Sequence, residues 1–224
     1  MQRTDLSDRR RAALASLGLL SVFAAALVVA RIVYTGSSEG VYLVWNLFLA
    51  WVPFVLAVLV YDGARRGVSR TVLGAGAVLW LLFFPNAPYI VTDFKHLESL
   101  AGAPEWFDVV VLTAFAWSGL LLGLLSLYLV HSVARRAVGA LNAWALVLGV
   151  LALSSFGIFL GRFQRWNSWD VFTSPQTLLA DAAEHATDLR TVSVTVLFTG
   201  FLAASYFVVY SFMRLAALEP ADRG

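Results

Sequence analysis

Six apolar stretches divide the chain, and each is long enough to cross a lipid bilayer as a helix. A helix rises about 1.5 Å per residue, so roughly 20 residues cross a hydrocarbon core about 30 Å thick. The stretches predict six transmembrane helices at about residues 12–30, 41–61, 71–91, 109–130, 137–161 and 191–213. With 60% hydrophobic and 13% charged residues, the 224-residue chain lacks the charged surface of a soluble domain. We expect an all-α, multi-pass integral membrane bundle that forms a single transmembrane domain over residues 1–224.

Basic residues lie mostly on one side of these stretches. With the N-terminus inside, the cytoplasmic segments hold 11 basic and 5 acidic residues, a net charge of +6. The outer segments hold 5 basic and 9 acidic residues, a net charge of −4. Because basic loops resist translocation, we expect both termini in the cytoplasm and the protein in the cell membrane. This bias explains the arginine clusters, so we expect no nucleic-acid partner.

The basic start of the chain and its first apolar run allow two interpretations. A cleaved signal peptide would end near Ala30. We favour an uncleaved first helix, because its run of 19 apolar residues is longer than a usual signal core.

The connections between the stretches differ in length. Those on the inner side are short, as residues 62–70 and 131–136 show, so neighbouring helices should pack antiparallel. The outer connection over residues 162–190 contains Ser174 and Pro175, a common N-cap followed by proline at the first helical position. Apolar residues at helical spacing follow. They predict a short amphipathic helix on the outer membrane surface.

The third apolar stretch ends in FFPNAPYIVTDFKHL. Pro85 and Pro88 each lack a backbone donor, so the helix should break near Phe84. Backbone carbonyls freed at membrane depth need partners, which Asn86 could supply. Asn46 lies at a matching depth in the second stretch, so both amides could line one cavity. The alternatives are a kinked helix end and an amide that bonds neighbouring helices.

Asp93 and His96 stand three residues apart, which places a carboxylate and an imidazole on one helical face. They are candidate catalytic residues for proton transfer. Alternatively, Thr92 or Asp93 caps a short interfacial helix and His96 lies in water. Too few ligands are evident to predict a metal site, although His185 and Asp108 could complete one. We predict no bound metal and no cofactor.

The strongest local signal is GRFQRWNSWD over residues 161–170. If the helix continues through it, Arg162, Arg165, Trp166 and Trp169 share one face. The guanidinium groups could bind a phosphate or carboxylate through paired hydrogen bonds, and the indole rings could contact an adjacent apolar group. The alternatives are anchoring at the membrane interface and ion pairing with nearby outer carboxylates, among them Asp93 and Asp108.

These patterns favour a membrane lipid or another anionic amphiphile as the partner, bound at the outer face. The full set of candidate ligand-binding residues is Asn46, Asn86, Lys95, Asp108, Arg162, Arg165, Trp166, Asn167, Trp169 and Asp170. For such a site, residues 85–96 should fold against the outer end of the fifth helix. A transporter and a non-catalytic scaffold are the alternatives, and the scarcity of polar residues in the inner halves of the helices disfavours transport. The sequence identifies neither a reaction nor a protein partner.

Four strings of the chain resemble the prokaryotic membrane-protein family called domain of unknown function 1361. They are NLFLAWVPF (46–54), LLFFPNAPYIVTDFKHL (81–97), WFD (106–108) and LGRFQRWNSWD (160–170). The resemblance implies a six-helix integral membrane protein, and it implies no particular ligand or reaction.

Overall fold

The structure is a computed structural model that describes residues 2–100 and 102–216. Over these residues the regular elements are helices. They are α1 (Gln2–Thr35), α2 (Val41–Arg65), α3 (Arg70–Phe83), α4 (Asn86–Tyr89), a 3₁₀ helix (Ile90–Ser99), α5 (Glu105–Val138), α6 (Ala140–Phe163), α7 (Asp170–Thr173), α8 (Pro175–His185) and α9 (Leu189–Ala216).

Six helical segments in the described part of the chain are long and apolar enough to cross a membrane. They are Arg10–Thr35, Val41–Arg65, Arg70–Glu98, Glu105–Val138, Ala140–Phe163 and Leu189–Ala216. The predicted all-α fold with six membrane-spanning helices is therefore confirmed. The prediction that both termini are cytoplasmic stays a prediction.

The third apolar stretch breaks where its prolines predict. α3 ends at Phe83, and the amide of Phe84 donates to the carbonyl of Trp80 at 2.8 Å. Pro85 has no amide hydrogen and cannot extend the ladder. The chain then forms α4 and the 3₁₀ helix, so the apolar stretch over residues 71–91 is divided at the predicted break.

Contacts divide the described residues into two compact units. Unit 1 comprises residues 2–51 and 86–122, and unit 2 comprises residues 52–85 and 123–216. α2 and α5 each contribute to both units. The prediction of one transmembrane domain stays a prediction.

In unit 1, α4 and the start of the 3₁₀ helix pack closely against α5. Ala87 and Ile90 are buried, and both lie against Gly119 of α5. A Cβ atom on Gly119 would stand 2.6 Å from the Ala87 carbonyl oxygen. The missing side chain at Gly119 therefore permits this close approach.

In unit 2, the second half of α5 packs with α3, and α6 packs with α9. The Trp80 indole of α3 donates to the Ser126 hydroxyl of α5 at 3.2 Å, and both side chains are buried. Leu151 of α6 and Leu202 of α9 are buried in the core of this unit.

The predicted short helix between α6 and α9 is present as α8. Ser174 is its N-cap residue and Pro175 occupies its first turn, as predicted. Ser174 makes no side-chain capping hydrogen bond. The position of α8 on the outer membrane surface stays a prediction.

Candidate functional site

A buried ion pair joins α1 and α5 within unit 1. The Arg31 guanidinium donates to Asp108 from Nε to Oδ1 at 2.7 Å and from Nη2 to Oδ2 at 3.5 Å. Arg31 also donates to the carbonyl oxygen of Glu39 at 3.1 Å. Both members of the pair are buried, so each neutralises a charge that would be costly in isolation. Asp108, a predicted ligand-binding residue, is therefore occupied by an internal partner.

Sequence reasoning did not identify Arg31 as a functional or structural centre. The available signal was its position, because it lies at the predicted outer end of the first stretch, where the topological bias disfavours arginine. Its partner lies 77 residues away along the chain, beyond the reach of local patterns.

The structure brings two further predicted residues of unit 1 together. The Asn46 side-chain amide donates to Asp93 Oδ2 at 2.9 Å, and Asp93 is buried. The two amides, Asn46 and Asn86, were predicted to share a cavity. The partner that the structure shows for Asn46 is a carboxylate of the 3₁₀ helix. This bond links α2 to that helix within unit 1.

Asp93 and His96 lie on one face of the 3₁₀ helix, because residues three apart eclipse in that geometry. The His96 ring packs edge-on against Tyr42, with 5.4 Å between ring centroids. Lys95 is exposed. In residues 2–100 and 102–216, no group of three or more His, Cys, Asp or Glu side chains could hold a metal ion.

In unit 2, the helix does not continue through residues 164–170, which was the condition for the shared arginine–tryptophan face. α6 ends at Phe163, and Arg165 has a left-handed backbone with φ +64°. The amide of Trp166 donates back to the Leu160 carbonyl at 3.3 Å. The predicted single helical face for Arg162, Arg165, Trp166 and Trp169 is therefore wrong.

Residues 164–170, here called the Arg-Trp loop, are held by their own hydrogen bonds. Asp170 Oδ2 accepts from the Asn167 amide at 2.7 Å, and Asp170 Oδ1 accepts from the Thr173 hydroxyl at 3.2 Å. The Trp166 indole donates to Asp181 Oδ2 of α8 at 2.5 Å. Trp166, Asn167 and Asp170, all predicted ligand-binding residues, thus fix the loop and join it to α8.

The remaining predicted residues of unit 2 differ in exposure. Arg162 lies in the last turn of α6, where the helix dipole favours a cation. Arg165 is exposed, and its guanidinium makes no hydrogen bond or ion pair with the rest of the described chain. The Trp169 side chain is 39% exposed. The loop therefore exposes the guanidinium group of Arg165 and the indole of Trp169 at its surface.

Pro85 supports part of the predicted packing of residues 85–96 against the end of α6. Its ring lies beside Gly157, where an added Cβ atom would stand 3.4 Å from Pro85 Cγ. Packing of residues 86–96 against α6, and an ion pair from them to Arg162 or Arg165, stay predictions.

The ends of α6, α8 and α9 contain Arg190, which the sequence did not single out, and His185, which it named only as a possible metal ligand. The Arg190 guanidinium lies over the Phe163 ring at 4.4 Å, a favourable cation–π geometry. His185 Nδ1 lies 2.9 Å from the Asp181 carbonyl oxygen and 3.3 Å from its carboxylate. The hydrogen bond to the Asp181 carbonyl raises the pKa of His185 above 6.5, and the neighbouring carboxylates raise it further.

A second missed cluster surrounds His131, which the sequence placed in a short inner loop. His131 lies inside α5 and is buried, with Nδ1 2.7 Å from the Tyr206 hydroxyl of α9. Its ring packs on Trp144 at 4.8 Å, and Arg135 donates to the Tyr210 hydroxyl. These contacts join α5, α6 and α9 through polar and aromatic groups.

Residues 45–205 match the family described as "Protein of unknown function (DUF1361)". No curated protein and no solved structure matches the chain. Because the family match covers more than half of the sequence, the chain belongs to the DUF1361 family, as its resemblance predicts.

Proposed function

We propose that this member of the DUF1361 family binds an anionic amphiphile at the Arg-Trp loop. The ligand would carry a phosphate or carboxylate on an apolar chain, as membrane lipids do. The observation that carries the proposal is the exposed guanidinium of Arg165 on a left-handed backbone next to the end of α6.

A left-handed residue after a helix is usually glycine, and asparagine is the next most suitable. A bulky side chain there costs on the order of 1–3 kcal/mol and persists where its surroundings enforce it. In this chain the position holds arginine. The planar guanidinium group can bind an oxyanion through two parallel hydrogen bonds. Such a binding role would explain why arginine occupies this position.

The Arg-Trp loop supports such binding because it is ordered by its own contacts. The Trp166 indole donates a hydrogen bond to Asp181, and the Asn167 backbone amide donates one to Asp170. A preorganised loop loses less conformational entropy when a ligand arrives. The exposed Trp169 adds an amphipathic ring of the kind that favours the membrane interface.

The polar residues of unit 1 have internal partners and hold its helices together. Asp108 neutralises Arg31, and Asp93 accepts from Asn46, so these contacts stabilise the helices. Proton transfer by Asp93 and His96 is not part of the proposal.

A direct test measures equilibrium binding of radiolabelled dodecyl phosphate to protein in neutral maltoside detergent. Arg165→Asn removes the charge and tolerates the left-handed backbone, so its effect reports the guanidinium. A hydrogen bond to a charged group contributes about 1.5–3 kcal/mol, which predicts binding weakened by about tenfold or more. Arg165→Lys should fall between wild type and Arg165→Asn, because it keeps the charge and loses the fork.

The matched control is Arg66→Asn, which removes another exposed arginine from a turn. It should bind dodecyl phosphate as wild type does. Equal affinity for wild type and a folded Arg165→Asn variant would refute the proposed function.

A further inference from the structure

An open apolar groove of about 270 Å³ lies in unit 2 between α6 and the first turns of α9. Six residues line it: Phe156, Ala186, Thr191, Val192, Thr195 and Val196. Ligand pockets for whole drug-sized molecules have volumes of about 300–1,000 Å³. The groove is therefore sized for one chain of a larger amphiphile.

Two hydroxyl groups in this apolar lining lack partners. The Oγ1 atoms of Thr191 and Thr195 are buried, and neither makes a hydrogen bond within the described part of the chain. Thr191 is 1% exposed as a whole residue. A buried hydroxyl without a partner is unfavourable, so an oxygen of a bound molecule would stabilise it.

Other threonines in long helices of this protein show the usual alternative. Thr199, also in α9, donates to the carbonyl of residue 195 at 2.6 Å, and Thr113 of α5 donates to Val109 at 2.7 Å. For Thr191 the residue four positions earlier precedes the helix, because α9 begins at Leu189. Thr191 and Thr195 thus differ from Thr199 and Thr113, because their hydroxyls make no such bond.

The groove begins close to a cationic end. Arg190 directly precedes Thr191 and covers Phe163, the last residue of α6. Phe156 lies seven residues before Phe163, which corresponds to about 10 Å along the helix axis. A cation therefore lies next to one end of a groove whose wall combines apolar side chains with two hydroxyls.

We propose that this groove holds the acyl chain of an ester lipid, and that Thr191 and Thr195 donate hydrogen bonds to its ester carbonyl oxygen. This inference rests on the proposed binding of an anionic amphiphile and specifies its class. An ester carbonyl is an acceptor located where a lipid's polar and apolar parts meet. An alkyl ether lacks this carbonyl oxygen and keeps only an ether oxygen, which is a weaker acceptor. A plain alkyl phosphate has no carboxylic ester at all.

The test compares 1-acyl-glycerol-3-phosphate with the 1-alkyl ether of equal chain length. Both ligands carry the same phosphate, so only the carbonyl differs. Wild type should bind the ester about tenfold more tightly, as expected for two neutral hydrogen bonds. Thr191→Val with Thr195→Val keeps the side-chain shape and should abolish this preference. The control Thr199→Val should keep the preference, because Thr199 lies on the same helix outside the groove lining.

A second variant, Val196→Trp, fills the groove and should weaken both ligands by about tenfold. If wild type binds neither ligand, the proposed function itself fails. If wild type binds both equally and neither groove variant changes binding, the groove assignment fails while anionic binding at the Arg-Trp loop stands.

Discussion

Arg31 and Arg165 lie in the segments that the sequence places outside, where arginine is disfavoured, yet their surroundings are opposite. Arg31 is fully buried against Asp108. Arg165 is exposed on a strained backbone. The first arrangement is explained by helix packing alone. The second has no internal partner within the described chain, and it is the basis of the proposed ligand site.

Removal of one member of the buried pair leaves the other charge without compensation. Arg31→Ala should lower the free energy of unfolding by about 3–5 kcal/mol, whereas Arg31→Met with Asp108→Leu should recover most of that loss. Denaturation in detergent measures both, with Arg66→Ala as the exposed control. An Arg31→Ala variant as stable as wild type would contradict the role given to the pair.

The raised pKa of His185 in α8 predicts that its contribution to the free energy of unfolding depends on pH. Because its folded pKa is raised, the protonated ring stabilises the folded state fully below pH 6.5, and this contribution is lost as pH rises through the folded value. The stability difference between wild type and His185→Gln should be larger at pH 5.5 than at pH 8.5. Thermal unfolding at the two pH values measures it, and a pH-independent difference would argue against the assignment.

At the scale of helices and turns, local chemistry explains which elements could be predicted. The break after Phe83 and the start of α8 at Pro175 follow from proline, whose effects act on adjacent residues. α6 was predicted to end at about residue 161 and ends at Phe163, whereas the left-handed backbone of Arg165 was not predicted, because glycine usually signals that conformation. The 3₁₀ geometry of Ile90–Ser99 also carries no distinct sequence pattern.

The close approach of α4 to α5 gives a test at this scale. Gly119→Ala would place a Cβ atom 2.6 Å from the Ala87 carbonyl oxygen, so the backbone must shift. We expect a loss of about 1–3 kcal/mol in stability. Gly149→Ala is the matched control, since an added Cβ atom in α6 would meet nothing within 4 Å. Equal stability of the two variants in thermal unfolding would show that α4 does not pack as described.

For the molecule as a whole, hydropathy is sufficient to predict six spans, because each span must satisfy its backbone within itself. The pairing of polar residues was not predictable in the same way. Asn46 and Asp93 lie 47 residues apart, so only tertiary packing brings them together. The unpartnered hydroxyls of Thr191 and Thr195 could not be predicted from the sequence. In sequence, a threonine that donates to a carbonyl of its own helix is the same as one that has no partner.

Orientation in the membrane can be tested cleanly, because the chain contains no cysteine. The charge distribution predicts that Arg66→Cys faces the cytoplasm and Glu184→Cys faces outward. An impermeant maleimide applied to intact cells should label only the cysteine at position 184, and both after permeabilisation. Labelling of both, or of neither, in intact cells would contradict the predicted orientation.

Native mass spectrometry of the purified protein, with its co-extracted lipids, tests the central claim most directly. Wild type and the Arg66→Asn control should retain anionic lipid in equal amounts, and Arg165→Asn should retain at most about one tenth as much at matched lipid concentration. Equal retention of anionic lipid by all three folded proteins would contradict a lipid-binding role for the Arg-Trp loop.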